Sequence, residues 1–409
     1  MTISFSKLLV VCLLAAPTLA SAASVIEVSN VSQQPSGRAS GIELLYVDKA
    51  ARPQDDFARH VNGVWIDTTE IPADKSSWGS FEKLYEDTQP KLRKIVEDAA
   101  KDSGKKPGSD LQKIGDLYES FMDEAKLEKL GLKPLERELA RIDALRSKAE
   151  IPALIAHLNR IGAGAPYTFA IHQDAKDSTK YVADLMQDGL GLPDRDYYLK
   201  MKDEKLSKVR AKYKAHIEKM LSLAGDADAA ANARQIVVLE TELAKAQWTK
   251  VENRDPVKTY NRVELKAIDA LAPGYDWGAY LFETGIAPRT DYVIVSQPSY
   301  LTAFNKILQA KPLPVWKAYF RWHLLSAFAP YLSKSVVDEN FAFKGTVLTG
   351  QPQNRPRWKR GVSLVEGAIG ESLGKIYVGL YFPPERKARM ENLVKNLLEA
   401  YRQSIDTLP

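Results

Sequence analysis

Five histidines, His60, His157, His172, His216 and His323, are the side chains best suited to metal or acid–base chemistry in this chain. A helical zinc site of the hydrolytic kind needs His-Glu-x-x-His. Two imidazoles one turn apart hold the metal, and the Glu polarises its water. None of the five is followed by Glu, and no two stand four apart. His216-Ile217-Glu218 comes nearest but has the wrong spacing. Cys12 is the only cysteine, so no mixed Cys/His set can be built locally. Each His therefore reads as a surface or hydrogen-bonded core residue, and the sequence supplies no metal ligand and no catalytic residue.

Other chemistries fare similarly. There is no Gly-x-Ser-x-Gly elbow. Asp55-Asp56 and Glu240/Glu242 read as a solvated turn and a helix face; a paired-carboxylate glycosidase stays open, because sequence does not give the carboxylate separation. Gly367-Ala-Ile-Gly370-Glu-Ser-Leu-Gly374-Lys375 hints at a phosphate loop, but Ile369 and Ile376 occupy positions needing Gly and Ser/Thr. Its small residues are expected to let a neighbour approach closely. Arg355-Pro-Arg357-Trp358-Lys359-Arg360 is a basic cluster with an embedded aromatic. A phosphate contact is one reading; a solvated helix start with Trp358 anchored in the core is the better one.

Composition narrows the class. The net charge is +5 from 57 basic and 52 acidic residues, a balance that gives no support to nucleic-acid binding. Lys7, the apolar run Leu8–Ala20 and Ala20-Ser21-Ala22 form a cleavable signal, 1–22, that directs export to the periplasm or outside the cell. Lipid anchoring through Cys12 is the minor alternative, since Val11 precedes it where a small residue is expected. The apolar run is shorter than the roughly 20 residues a membrane span needs, and no integral membrane segment is expected after cleavage. The mature chain has no cysteine, so its core must hold by packing alone.

The elements that would position any site are mostly helical. Residues 23–53 read as a flexible, polar leader. Phe81, Leu84, Tyr85, Thr88, Leu92, Ile95, Val96 and Ala99 form one helical stripe, with Pro90 expected to kink or restart it. Ser109–Gln112 is a capping box opening another helix, Gly131 a terminator, and Pro134 suits a further helix start. Pro166–His172 and Tyr181–Met186 predict a β-hairpin around a polar loop. Long helices are expected over about 203–223 and 226–249, then 300–308, 315–332 and 388–406.

Several short stretches, in order, resemble the neprilysin-like M13 zinc peptidase family. They are Asp55-Asp56-Phe57 with Val61-Asn62-Gly63-Val64-Trp65, then Ile71–Ser76 and Gly79-Ser80-Phe81. Gly191–Tyr198 follows, then Leu239–Ala244 with Arg254-Asp255-Pro256 and Tyr260-Asn261. Asp338–Phe341, Arg357–Arg360 and Gly374–Val378 complete the set. Together they cover nearly all of 55–409.

The resemblance implies a mainly α-helical, large multi-helix domain with a small β-hairpin, one part of a two-lobed peptidase enclosing a cavity. Residues 54–409 would be its N-terminal domain. It implies one zinc ion in the complete enzyme, with ligands and catalytic Glu in a C-terminal catalytic domain absent from these residues. Peptides are then the substrates, this chain alone is inactive, and that catalytic domain is its partner. In neprilysin an Arg matching the segment Ser76–Gly79 helps bind the substrate's terminal carboxylate. Here Ser77 stands there, so Ser77 and Trp78 are the candidate substrate-binding residues, and endopeptidase action is expected over dipeptide release. The alternative is a non-catalytic peptide-binding or regulatory module of the same lineage.

Overall fold

The computed structural model describes residues 43–408; the signal 1–22 and the leader residues 23–42 lie outside them. Two compact units divide at Thr69/Glu70. In the first, helix α1 (Phe57–Thr68) starts at Asp56, whose side chain accepts the Arg59 N–H. Residues 43–53, expected as leader, carry a 3-10 turn at Leu44–Tyr46. The Asp48 N–H donates to the His60 carbonyl at 2.7 Å. Gly63 permits this contact: a Cβ there would lie 2.5 Å from Asp48 Cβ.

The second unit opens with α2 (Ser80–Lys101), α3 (Asp110–Met122), α4 (Glu124–Leu130), α5 (Glu136–Asp143) and α6 (Ile151–Arg160). Strands β1 (Tyr167–Gln173) and β2 (Tyr181–Gln187) follow, then α7 (Asp196–Leu199), α8 (Glu204–Leu223) and α9 (Ala229–Ala246). Beyond them come β3 (Arg262–Glu264), α10 (Trp277–Glu283), β4 (Tyr292–Val295), α11 (Pro298–Ala310), α12 (Leu313–Phe328) and α13 (Lys334–Phe341). A π-helical stretch, Ala342–Thr349, leads to α14 (Arg357–Tyr381) and α15 (Pro384–Asp406).

Local signals account for several boundaries. Ser109 Oγ accepts from Gln112 N–H, satisfying one orphan donor of α3, while the Gln112 side chain reaches one residue past the N-cap to Gly108 N–H. Gly131 closes α4 with φ 52. Pro90 sits inside one continuous helix rather than dividing it. Leu92, Ile95, Val96 and Ala99 are buried in the turns that follow the position lacking an N–H, so tertiary packing overrides the local defect.

The predicted hairpin forms, with Tyr167 opposite Gln187. It is half of a four-stranded sheet in the order β1-β2-β4-β3, with β2 and β4 parallel and β3 antiparallel to β4. The sequence reading missed the other two strands. β4 is a four-residue apolar run buried throughout, a pattern that periodicity does not separate from helix.

The main core gathers Tyr167, Tyr275, Trp277, Tyr280 and Phe304 with Trp316, Tyr319 and Phe320. Their rings meet mainly edge-on or tilted, as in the 5.6 Å Tyr167–Phe304 pair. A second cluster joins α2, α3 and α14 through Ile95, Val96, Ile114, Tyr118, Val362 and Val365. The C-terminal half of α14 behaves differently. Its helix is interrupted at Ile369, and a Cβ added at Gly367, Gly370 or Gly374 would meet nothing within 4 Å. The close neighbour expected for these glycines is not among the described residues. α15 has no buried residue; Met390, Leu393, Val394, Leu397, Leu398, Tyr401 and Ile405 form an exposed apolar stripe along it.

Asp174 pins the sheet's edge. Its carboxyl accepts from Tyr292 OH at 2.6 Å, Tyr260 OH at 2.8 Å and Lys176 N–H at 2.8 Å. The Tyr292 bond, then the Lys176 amide, hold its pKa down to about 2, against an ordinary 3.8. The sign follows from linkage. The folded state binds this proton less readily than the unfolded one, so the stabilisation is present above about pH 4. It is lost as pH falls towards 2. Asp174→Asn should therefore flatten the stability profile between pH 4 and 2. A urea-midpoint series matching that of the parent protein would refute this.

Candidate functional site

Ser77 and Trp78 lie in the irregular segment between Glu70 and the start of α2; Ser77 is exposed and Trp78 half-buried. Ser77 Oγ donates to Glu82 Oε1 at 3.3 Å. Gly79, the residue before α2, is extended with φ −171, which any side chain tolerates. The structure keeps these two residues adjacent on one loop, and what fixes that loop comes from the far end of the chain.

Lys359 Nζ donates to Glu86 Oε2 at 2.5 Å and Asp74 Oδ2 at 3.3 Å. Lys75 pairs with the same Glu86 carboxylate from the other side. Burial alone would raise the Glu86 pKa, but the Lys359 and Lys75 hydrogen bonds outweigh it and hold the carboxyl low. Gln353 N–H donates to the Ala73 carbonyl at 3.1 Å. Tyr85 lies beneath both the Lys75 ammonium and the Arg355 guanidinium, at 5.4 and 5.7 Å. Trp358 is half-buried against the α2–α3–α14 cluster, with the Arg93 guanidinium 4.8 Å from its ring. The stretches Ile71–Ser76 and Arg357–Arg360, almost 300 residues apart, thus make one clamp.

A clamp of partly buried charges is worth more than an exposed pair. Lys359→Met removes the bridging cation and leaves two carboxylates facing Lys75 alone. We expect about 1–2 kcal/mol of lost stability and faster proteolytic nicking between 70 and 79. Unchanged nicking and an unchanged urea midpoint would show the clamp to be incidental.

A second polar centre is buried. Glu240 is fully inaccessible. Its Oε2 accepts from Tyr198 OH at 2.7 Å and Tyr213 OH at 2.8 Å, and His323 Nε2 lies 2.9 Å from Oε1. Trp322 Nε1–H donates onward to Tyr213 OH at 3.0 Å, and Leu192 N–H to Tyr198 OH at 3.0 Å. Burial, then the Glu240 charge, pushes both tyrosine hydroxyls well up in pKa, so they stay protonated donors. Gly191 makes room for this: a Cβ there would lie 1.7 Å from Tyr213 OH. Glu240 was expected on a solvated helix face. It is instead the hub joining Gly191–Tyr198 to Leu239–Ala244. Glu242, two residues on, does meet solvent in part and pairs with Lys311.

The histidines are dispersed. His60 bonds the Ala51 carbonyl, His157 pairs with Glu138 at 2.5 Å, and His172 lies 3.5 Å from Asp184. His216 lies 2.8 Å from Glu339 and stacks on Phe343; burial outweighs that carboxylate and holds its pKa below the ordinary value. Among the described residues no group of three His, Cys, Asp or Glu side chains could hold a metal. A zinc ion needs three or four such ligands, so these residues do not fit one. The arrangement can present a clamped loop and a rigid core; it offers no nucleophile–base pair or metal set.

Comparison with known proteins agrees with this anatomy. A family model described as Peptidase family M13 matches residues 53–409. The chain is 26% identical over 388 residues to an endothelin-converting enzyme homolog of Locusta migratoria, covering 89% of this chain and 52% of that protein. With endothelin-converting enzyme 1 of Homo sapiens it shares 26% over 379 residues, 89% of this chain and 48% of the other. It spans about half the length of these curated relatives. Among solved structures, the zinc metalloprotease Zmp1 of Mycobacterium tuberculosis, in complex with an inhibitor, is 41% identical with a TM-score of 0.83. That match covers 90% of this chain and 56% of that one.

Proposed function

The chain belongs to peptidase family M13, and from that membership we propose that it is the N-terminal, substrate-enclosing domain of an exported zinc-dependent metalloendopeptidase. The observation that carries the reading is the match to a zinc metalloprotease over 90% of this chain but 56% of the relative. The described residues hold no fitting metal set. Zinc, which supplies the hydrolytic chemistry when bound, is then held by residues outside this chain. The uncovered faces of α14 and α15 suit the same reading. Their apolar stripe and open glycines await a packing partner, and the remaining half of the protein is the partner we assign.

In this role the domain encloses, orients and excludes water. A lid that dries a metal site strengthens every electrostatic interaction inside it and limits substrates to peptides. Ser77 and Trp78, on the clamped loop before α2, are proposed to face the peptide. A serine at this point supplies no cation for a terminal carboxylate, which favours cleavage within a chain. No described helix is long and apolar enough to cross a membrane.

The test is enzymatic. The 409 residues alone should show no chelator-sensitive peptide cleavage, whereas the protein extended to its relatives' length should, and should lose it on zinc removal. Cleavage by the 409 residues alone refutes the assignment. An extended protein without cleavage favours a peptide-capturing or regulatory module instead.

A further inference from the structure

The basic cluster noted in the sequence is not uniformly satisfied. Arg355 bonds Ser363 and Tyr85, Arg357 bonds the Phe121 carbonyl and Glu124, and Lys359 is held by Asp74 and Glu86. Arg360 differs. Its Nε donates to the Arg355 carbonyl at 3.2 Å, its buried Nη1 has no partner, and among the described residues no carboxylate pairs with it. Glu124 and Asp338 act on it from a distance, but they are already paired with Arg357 and Lys334.

Arg360 lines a cavity of about 290 Å³ that also receives Lys344, from the π-helical stretch. Among the described residues Lys344 Nζ has only the Ser326 carbonyl, at 3.3 Å, and no carboxylate. Asn340, more than nine-tenths buried, lines the same cavity with its Oδ1 unpartnered. Its amide orientation is interchangeable, so it offers an N–H as readily as an oxygen. Asn354, Gln351, Thr349 and Ser76 add polar groups beside apolar Val337 and Phe341, and no Asp or Glu lines the cavity.

We propose that this cavity is an anion site for a phosphate group, held between Lys344 and Arg360 with Asn340 as a neutral donor. Two cations lining one cavity lose hydration, at a cost that a doubly charged oxyanion offsets. A phosphate carries about −1.5 to −2 charges near neutral pH. It accepts both the planar guanidinium fork and the point-like ammonium. Burial lowers both side chains from their ordinary pKa values, with Arg357 and Arg355 adding to the effect on Arg360; an anion between them would offset that penalty. π-Helical turns recur where a side chain is re-aimed for binding, and this one carries Lys344. The site borders the clamp through Ser76 and Arg360 but includes neither Ser77 nor Trp78, so it stands whether or not the peptidase proposal does.

The test is calorimetric titration of the full-length protein with inorganic phosphate, against chloride and acetate at matched ionic strength. The expected result is saturable binding by phosphate, absent with chloride. Lys344→Gln and Arg360→Gln should each weaken it about tenfold, the equivalent of roughly 1.4 kcal/mol. Lys344→Gln is the safer variant, because Arg360 also packs by its stem; circular dichroism confirms that each folds. Acetate binding as tightly as phosphate would reassign the site to carboxylates and overturn the phosphate assignment. Heat equal in phosphate and chloride, or affinity untouched by Lys344→Gln in a folded protein, would overturn the site itself.

Discussion

Glu240→Ala should lower the unfolding free energy by about 3–5 kcal/mol, a large part of the roughly 5–15 kcal/mol that holds a typical domain together. The change strands two buried tyrosine hydroxyls and the His323 imidazole, all of which meet one carboxyl group. Each orphaned donor in a dry core costs about 1–3 kcal/mol. Glu240→Gln keeps the shape and one acceptor but turns an N–H towards donors, so a loss of about 1–3 kcal/mol is expected there. Urea denaturation distinguishes the outcomes: the midpoint should fall with little change in slope. An alanine variant within about 0.5 kcal/mol of the parent would mean that the network is a bystander to packing.

The second large effect is expected at Gly115. Alanine in a helix interior ordinarily gains about 1 kcal/mol over glycine. Here the sign should reverse. A Cβ at Gly115 would lie 2.4 Å from the Ala99 carbonyl oxygen and 2.6 Å from its carbon. Both are backbone atoms of α2, so no rotamer change relieves the clash and the helices must separate. Overpacking of this kind costs about 1–3 kcal/mol, giving a net loss of up to about 2 kcal/mol once the propensity gain is subtracted. Because α2 also carries Glu86, the displacement should loosen the clamp, and proteolysis between 70 and 79 should accelerate with the loss of stability. A stabilised Gly115→Ala variant would show that the α2–α3 crossing is wider than described.

These positions also show what sequence can and cannot convey. Phe81 and Leu84, expected on the α2 stripe, are exposed, whereas the later part of that stripe, the Ser109 cap, the Gly131 stop and the β1–β2 hairpin are local and legible from spacing alone. The helical class followed from them. Glu240 was misplaced because its surroundings arrive from 27 to 83 residues away in α8 and α12; nothing in Leu239–Ala244 distinguishes a buried hub from a wet face. β3 and β4 were missed for a related reason: a three- or four-residue strand has too few positions for alternation to register. The clamp between Ile71–Ser76 and Arg357–Arg360 is longer in range still. Both stretches were noticed as family-like, but only folding shows that they answer each other.

The parallel pairing of β2 with β4 has a consequence for how the molecule is made. Asp184 and Leu185 emerge from the ribosome about 100 residues before Ile294 and Val295, their partners. At roughly 5–20 residues per second, that delay is of the order of 5–20 s. For that interval the nascent hairpin shows β2 with an unfilled row of amides and carbonyls, a template that any passing strand can use. The vectorial order of synthesis therefore makes this sheet the step most exposed to mispairing, and a slowly closing, high-contact-order one.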